Sequence, residues 1–363
     1  MLGRRVEALK KSVKSTGAPG GVRRKAPTVK DVAEAASVSA QTVSNALNAP
    51  EKLRPETLKR VLGAIREVGY SPSFAAQALR ARSTRTIALV TLGEDESLHF
   101  DRAYFGRALN GVLRALQERK YTTLIHQAES GELESLFELF EHGRIDGALV
   151  LAASSQAKDL ATLSKAKYPI ALIDRRSVSL PCAHGNYGPI MGSVVEHVVG
   201  VGAKRLLYLA GKGLKGSSGA QRLSGFEQAA SRLGVLEASC VIETDWSAEA
   251  GREATRAVFE ESKRAQLPFD AIVAASDDLA LGALRAAKEL SLDVPGDIRL
   301  TGFDDSTPGS LSDPTLTTVS VPIENMAEEA ATRLVLSLTE QPFEREHRVE
   351  LELVVRESCG SRG

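Results

Sequence analysis

The chain has 363 residues, with 46 Lys and Arg against 46 Asp and Glu, and 43% of it is hydrophobic. That length exceeds one ordinary core, the composition suits a soluble globular protein, and no apolar run approaches the ~20 residues needed to span a bilayer. Cys182, Cys240 and Cys359 are far apart and lack CxxC spacing, which argues against a disulfide framework or a zinc site and fits a reducing compartment. The first thirty residues are basic without an apolar stretch, so they are not expected to be an export signal.

The zero net charge conceals a split. Residues 1–82 hold 16 Lys and Arg and 6 Asp and Glu, whereas the remainder holds 30 and 40. A basic head on an acidic body suits contact with phosphates. An ordinary solvated tail would give the same excess, because much of it precedes Pro27. Residues 1–26 mix Lys and Arg with Gly17, Pro19, Gly20 and Gly21, and they read as a mobile basic arm.

Thr28 opens the first clear helix, with Asp31 placed to complete a capping box. Val29, Val32, Ala33 and Ala36 then recur at helical spacing. After a break at Ser37-Val38, Ser39 is a good N-cap for a second helix running through Leu47. A third is expected over Pro55–Val68, with Pro55 at the first position and Gly69 at the stop. The second helix presents Ala40, Gln41, Ser44 and Asn45, while Val43, Ala46 and Leu47 point inward. Small and amide side chains at the start of a short helix suit base edges in a major groove. They would equally suit the surface of any three-helix bundle.

From Thr86 onward, apolar runs of strand length alternate with amphipathic helices. Strands are expected at 87–92, 122–126, 147–151, 170–174, 205–210, 239–243, 271–275 and 298–303, and helices at 106–119, 133–142, 190–201, 220–233, 248–261 and 279–290. Such alternation calls for parallel sheets covered on both faces, and its length calls for two lobes with a ligand cleft between them.

The run from Thr28 to Asn48 closely resembles the lactose-repressor/galactose-repressor family of bacterial regulators. The resemblance continues through Pro55-Glu-Thr57, Gly69-Tyr-Ser-Pro72, Ala75…Leu79, Ala275–Ala283, Gly302-Phe-Asp-Asp305 and Leu316-Thr-Thr-Val319, covering about residues 28–340. It implies an all-α helix-turn-helix head (27–72), a hinge (73–84) and an α/β sensor (85–363) of two doubly wound, parallel-sheet, periplasmic-binding-protein-like lobes. The implied protein is a cytoplasmic, ligand-responsive regulator, a repressor by expectation. It binds a pseudo-palindromic double-stranded operator as a homodimer or tetramer, without cofactor, metal or membrane.

The resemblance also carries residues. Ala40, Gln41 and Asn45 match base-reading positions. Thr28, Thr42, Ser44 and Asn48 match phosphate-positioning ones, with Ser39 at the helix start. Leu79 matches a wedge inserted into the minor groove. For the effector, the matching positions are Tyr104, Phe105, Asp174, Arg222, Trp246, Ser276, Asp277 and Asp304. Aromatic faces, carboxylates and a guanidinium suit a sugar, a sugar derivative or a nucleobase-like ligand.

Several positions depart from the family. Asn45 stands where Arg is frequent, and Ser37 stands where Gly forms the turn, at a cost approaching ~1 kcal/mol if φ is positive. Gly185, Ser276 and Val321 replace Asp, Asn and Gln, which points to a less hydroxylated ligand, or to none.

Two other readings stay open on sequence. Gly211-Lys-Gly-Leu-Lys-Gly216 spells the dinucleotide-binding GxGxxG between a strand and a helix, which would suit an NAD-dependent enzyme. Two lysines interrupt it, and no convincing acidic residue follows at the required distance. A solute-binding protein would share the two-lobed body, but it would have neither the head nor a chain start lacking an export signal.

Overall fold

The computed structural model describes residues 27–70, 83–93, 103–129, 131–151, 157–212, 218–265 and 269–360. The expected basic arm, the hinge up to residue 82 with Leu79, and Lys212-loop residues 213–217 lie outside them. The chain divides into two units, Met1–Ala81 and Arg82–Gly363.

In the first unit, α1 (Val29–Ala35), α2 (Ala40–Asn48) and α3 (Pro55–Val68) form where the capping signals put them. The Thr28 N–H and hydroxyl both donate to Asp31 Oδ2, at 2.6 and 2.8 Å. The Ser39 hydroxyl accepts from the Thr42 N–H at 3.1 Å, which serves one of the unpaired donors of the first turn. Gly69 closes α3 in the left-handed region, at φ 68°. Val32, Ala36, Val43, Ala46, Val61 and Ala64 make the buried core of this trio. Ser37, in the turn between α1 and α2, does adopt positive φ, at 51°.

The second unit contains two parallel sheets. The larger, in the order β11-β5-β4-β3-β1-β2, is built from β1 (Thr86–Gly93), β2 (Thr122–Glu129), β3 (Gly147–Leu151), β4 (Ile170–Ile173), β5 (Cys182–His184) and β11 (Glu346–Arg348). The smaller, in the order β7-β6-β8-β9, takes β6 (Leu206–Gly211), β7 (Cys240–Thr244), β8 (Ala271–Ala274) and β9 (Arg299–Thr301). A short antiparallel pair joins β10 (Thr318–Ser320) to β12 (Glu352–Val354).

Alternation along β1 explains why the larger sheet needs cover on both sides. Ile87 and Leu89 enter one core with α4 (Ala103–Glu118) and α12 (Ile323–Leu338). Ala88, Val90 and Leu92 enter the other, with Leu136 and Leu139 of α5 (Glu134–Glu141) and Leu163 of α6 (Ala157–Lys165). The smaller sheet packs against α7 (Tyr187–Gly200), α8 (Ser218–Arg232), α9 (Ala248–Ala265) and α10 (Asp277–Glu289). A further one-turn helix, α11, spans Thr307–Ser310.

Every strand and helix expected between 86 and 290 is present, with ends moved by a few residues. Three-residue strands β5, β10, β11 and β12 were not anticipated, because three residues carry no measurable period. For α12 the signal existed: Ile323, Met326, Ala327, Ala330, Ala331, Leu334 and Val335 are all buried at helical spacing.

Candidate effector site and DNA-reading helix

The candidate effector residues follow the carboxyl ends of strands in both lobes, where open α/β sheets leave a crevice. Tyr104 lies at the start of α4, the helix after β1. Asp174 directly follows β4, Trp246 follows β7, Ser276 and Asp277 follow β8, and Asp304 follows β9. Arg222 comes from α8, the helix after β6.

Four of these residues converge. Asp174 is 1% exposed, and its two carboxylate oxygens accept hydrogen bonds from the Tyr104 and Tyr187 hydroxyls. Arg222, 4% exposed, donates through Nη1 to the Ala275 carbonyl and brings Nη2 within 3.6 Å of Asp304 Oδ1. Its guanidinium lies over the Phe303 ring at 3.9 Å and near the Tyr187 ring at 5.0 Å. Such stacking suits a planar, weakly hydrated cation in an apolar setting.

The electrostatics follow from burial. Desolvation raises the Asp174 carboxyl above its usual range, although the two tyrosine hydrogen bonds and Arg222 pull the other way. Both tyrosines are pushed well above 10 by burial, and then by the facing Asp174. Burial works against charge on Arg222, but Asp304, Tyr187 and Asp174 outweigh it and hold the guanidinium above its ordinary value. Asp304 is pushed up to about 8 by burial, only partly offset by Arg222. Its Oδ1 is buried without a hydrogen-bond donor, and Arg222 Nε is buried without an acceptor. Unpaired buried atoms of this kind are what a polar ligand can serve.

The other expected residues are engaged differently. Phe105 is 5% exposed and packs in the core. The Ser276 hydroxyl caps α10 by accepting from the Leu279 N–H at 3.3 Å. Asp277 is a scaffold: Oδ2 accepts from the Ser306 N–H and Oδ1 from the Thr318 hydroxyl, each at 2.6 Å. A Cβ at Gly302 would come within 2.2 Å of Asp277 Oδ1, so a side chain at this position would displace the carboxylate. Trp246 lies against the backbone of Gly211, where a Cβ would fall 1.9 Å from Cε2, and its Nε1 donates to the Lys212 carbonyl at 3.1 Å. Gly211 of the GxGxxG string therefore makes room for an indole.

Three contributors escaped the sequence reading. Phe303 sits inside the Gly302–Asp305 motif and Tyr187 in no quoted motif, and only the fold turns them toward Asp174 and Arg222. Arg107, on α4, donates to the carbonyls of Asp304 and Val321, each at 2.9 Å. No motif marked it, because it binds main chain remote in sequence.

On α2, Ser39, Ala40 and Gln41 are exposed at the amino end, while Thr42, Ser44 and Asn45 are half-buried. Gln41 Nε2 donates to Asn45 Oδ1 at 3.1 Å, one helical turn on. Thr28 caps α1, and Asn48 is the last residue of α2.

A trihelical head with an amide pair on its second helix, joined to a receptor whose polar residues converge from two parallel-sheet lobes, defines a class of ligand-receiving, nucleic-acid-binding proteins. Comparison makes it specific. The family model described as bacterial regulatory proteins, lacI family, matches residues 28–73, and that of a periplasmic binding protein-like domain matches residues 195–359. The HTH-type transcriptional regulator CelR of Thermobifida fusca is 31% identical over 344 residues, covering 93% of this chain and 99% of that protein. The chain belongs to the lacI family of bacterial regulatory proteins; it is a transcription regulator and not an enzyme, so the dinucleotide reading falls.

Among solved structures, a CelR–cellobiose complex is 29% identical with a TM-score of 0.65, covering 92% of this chain and 99% of that one. A lac repressor dimer bound to operator and the anti-inducer ONPF, at 23% identity, shares the fold with a TM-score of 0.80 over 93% of this chain and 100% of that one. Among the described residues, no helix is long and apolar enough to cross a membrane, and no group of His, Cys, Asp or Glu could hold a metal ion.

Proposed function

We propose that this regulator is a cytoplasmic repressor that binds a pseudo-palindromic operator as a homodimer and releases or tightens its hold when a small molecule enters the cleft between its lobes. The observation that carries this reading is the convergence of Tyr104, Asp174, Arg222 and Asp304 from different strand ends into one buried polar cluster. An Arg stacked on Phe303 beside under-served Asp304 offers both a donor and an acceptor to a hydroxylated or heterocyclic ligand. Trp246, packed against Gly211, is the proposed aromatic surface for the ligand.

Ala40, Gln41 and Asn45 are the proposed base readers. Thr28, Ser39, Thr42, Ser44 and Asn48 are the proposed positioning groups. The hinge, with Leu79 as the proposed minor-groove wedge, carries the coupling, worth ~1–3 kcal/mol between the two sites.

Trp246 is the single tryptophan of the chain and reports on the cleft. Titration with cellobiose, other disaccharides, ribose and purines should change its emission for one class only, and the same ligand should shift the affinity for a duplex enriched from a random pool. A purified protein that enriches no duplex, with or without these ligands, would end this reading.

A further inference from the structure

Two carboxylates do matching work in the two lobes. Asp146, directly before β3, gathers the chain entering β1. It accepts from Ser83 Oγ at 2.5 Å, the Thr84 N–H at 2.6 Å, Thr84 Oγ1 at 2.8 Å and the Arg85 N–H at 2.9 Å. Asp270, directly before β8, gathers the chain entering β6, accepting from the Lys204 N–H at 2.9 Å and the Arg205 N–H at 2.9 Å. Each also ties its own backbone to the neighbouring strand: Asp146 N–H to the Thr86 carbonyl at 2.8 Å, and Asp270 N–H to the Arg205 carbonyl at 3.1 Å.

The chain segments they hold differ in what lies before them. Lys204 and Arg205 follow α7 within the same unit. Ser83–Arg85 are the first described residues after the division between the units at Ala81 and Arg82. Any displacement of β1 and β3 reaches the head only along this covalent path or through contacts beyond it. Arg85 strengthens the hold. It takes a left-handed conformation at φ 49°, and its guanidinium lies over the Tyr121 ring at 5.1 Å. Four hydrogen bonds to one carboxyl group, from both backbone and side chains, leave the segment little freedom.

We propose that Asp146 is a positioning residue for operator binding: it clamps the chain where it enters the sensor, so that sensor motion is passed into residues 71–82 and not lost in slack backbone. This rests on the DNA-binding function proposed above. Asp270 holds a strand start in the same way without a linker behind it, so it is a matched control.

The test uses the full chain and the variants Asp146→Asn, Asp146→Ala and Asp270→Asn. Two quantities are measured: amide exchange at residues 84–85 and 204–205, and affinity for a duplex enriched by the wild-type protein, against random duplex. Asp146→Asn is expected to speed exchange at Thr84 and Arg85 about tenfold or more. It should weaken the enriched duplex by about five- to tenfold while leaving random duplex within about twofold. Asp270→Asn should speed exchange at Lys204 and Arg205 and leave both DNA affinities alone.

Unchanged protection at Thr84 and Arg85 overturns the clamp. Lost protection with unchanged DNA affinity, or equal DNA effects from both Asn variants, overturns the positioning role. If Asp146→Ala does not fold, the two Asn variants carry the comparison. A wild-type protein that enriches no duplex overturns the operator reading and this role with it, whereas the exchange data still report whether the carboxylate holds the segment.

Discussion

Arg222 and Asp304 face each other across 3.6 Å at the end of β9, the guanidinium flat on Phe303 and the carboxylate lacking a hydrogen-bond donor on Oδ1. An ion pair this buried and this incompletely bonded is poor insurance for stability, since desolvation consumes much of the attraction. A donor from a ligand on Oδ1 would complete it, as the effector site proposed above requires.

Removing the cation should therefore be costly. Below about pH 8, where Asp304 holds its proton, Arg222→Met costs the hydrogen bond to the Ala275 carbonyl and the packing on Phe303, about 1–3 kcal/mol, and the cost grows at higher pH as an unpaired buried charge develops on Asp304. Thermal unfolding should fall accordingly. Arg222→Lys should recover only part of the loss, because an ammonium cannot lie flat on Phe303 while reaching the Ala275 carbonyl.

The Asp304 carboxyl also sets a pH dependence. Its folded-state value is pushed up to about 8, against roughly 3.9 for a free side chain. Between those values the folded protein holds a proton that the unfolded chain has released, so this group's contribution to stability is lost as pH rises from about 4 to about 8. Asp304→Asn removes that slope. Denaturant midpoints compared near pH 5 and near pH 8 should fall less in the variant than in the parent; parallel profiles would assign the effect elsewhere.

Tyr187→Phe leaves Asp174 Oδ1 without its donor in a buried site. The expected loss is about 1–3 kcal/mol. Because Tyr104 serves the other oxygen of the same carboxylate, the double variant Tyr104→Phe/Tyr187→Phe should deviate from additivity, and a double-mutant cycle on unfolding measures by how much.

Ser37→Gly should stabilise the head by roughly 0.5–1 kcal/mol, since a non-glycine residue at φ 51° carries a steric cost that Gly avoids. Slower amide exchange at Val43 and Val61, both fully buried, is the readout. No change would mean that the greater freedom of Gly in the unfolded chain cancels the gain.

On α2, Gln41 and Asn45 share a hydrogen bond at 3.1 Å, so the two amides present one joint surface. Each side chain able to pair bidentately with adenine is worth about 1–3 kcal/mol of discrimination. Asn45→Ala should relax base preference at one operator position with little change in salt dependence, as read by sequencing the enriched pool. Asn45→Arg should move that preference toward guanine.

Capping residues, apolar period and the long motif run from Thr28 to Asn48 determined the three helices of the head to within a residue, because those signals act between neighbours in sequence. The same kind of signal placed most of the alternating strands and helices up to Glu289, with ends moved by a few residues, but it missed α6 and β5. What the fold alone decided depends on neighbours distant in sequence. Tyr187 and Asp174 meet across 13 positions, Arg107 and Asp304 across 197, and Ser83 and Asp146 across 63. Asp277 and Ser276 show the converse: their motif was legible, yet Gly302, Ser306 and Thr318 commit the Asp277 carboxylate to holding the loop, and Leu279 commits the Ser276 hydroxyl to capping α10. A side chain's type fixes which bonds it can make, but its partner is set by which strands lie side by side, and that order is a property of the assembled sheet.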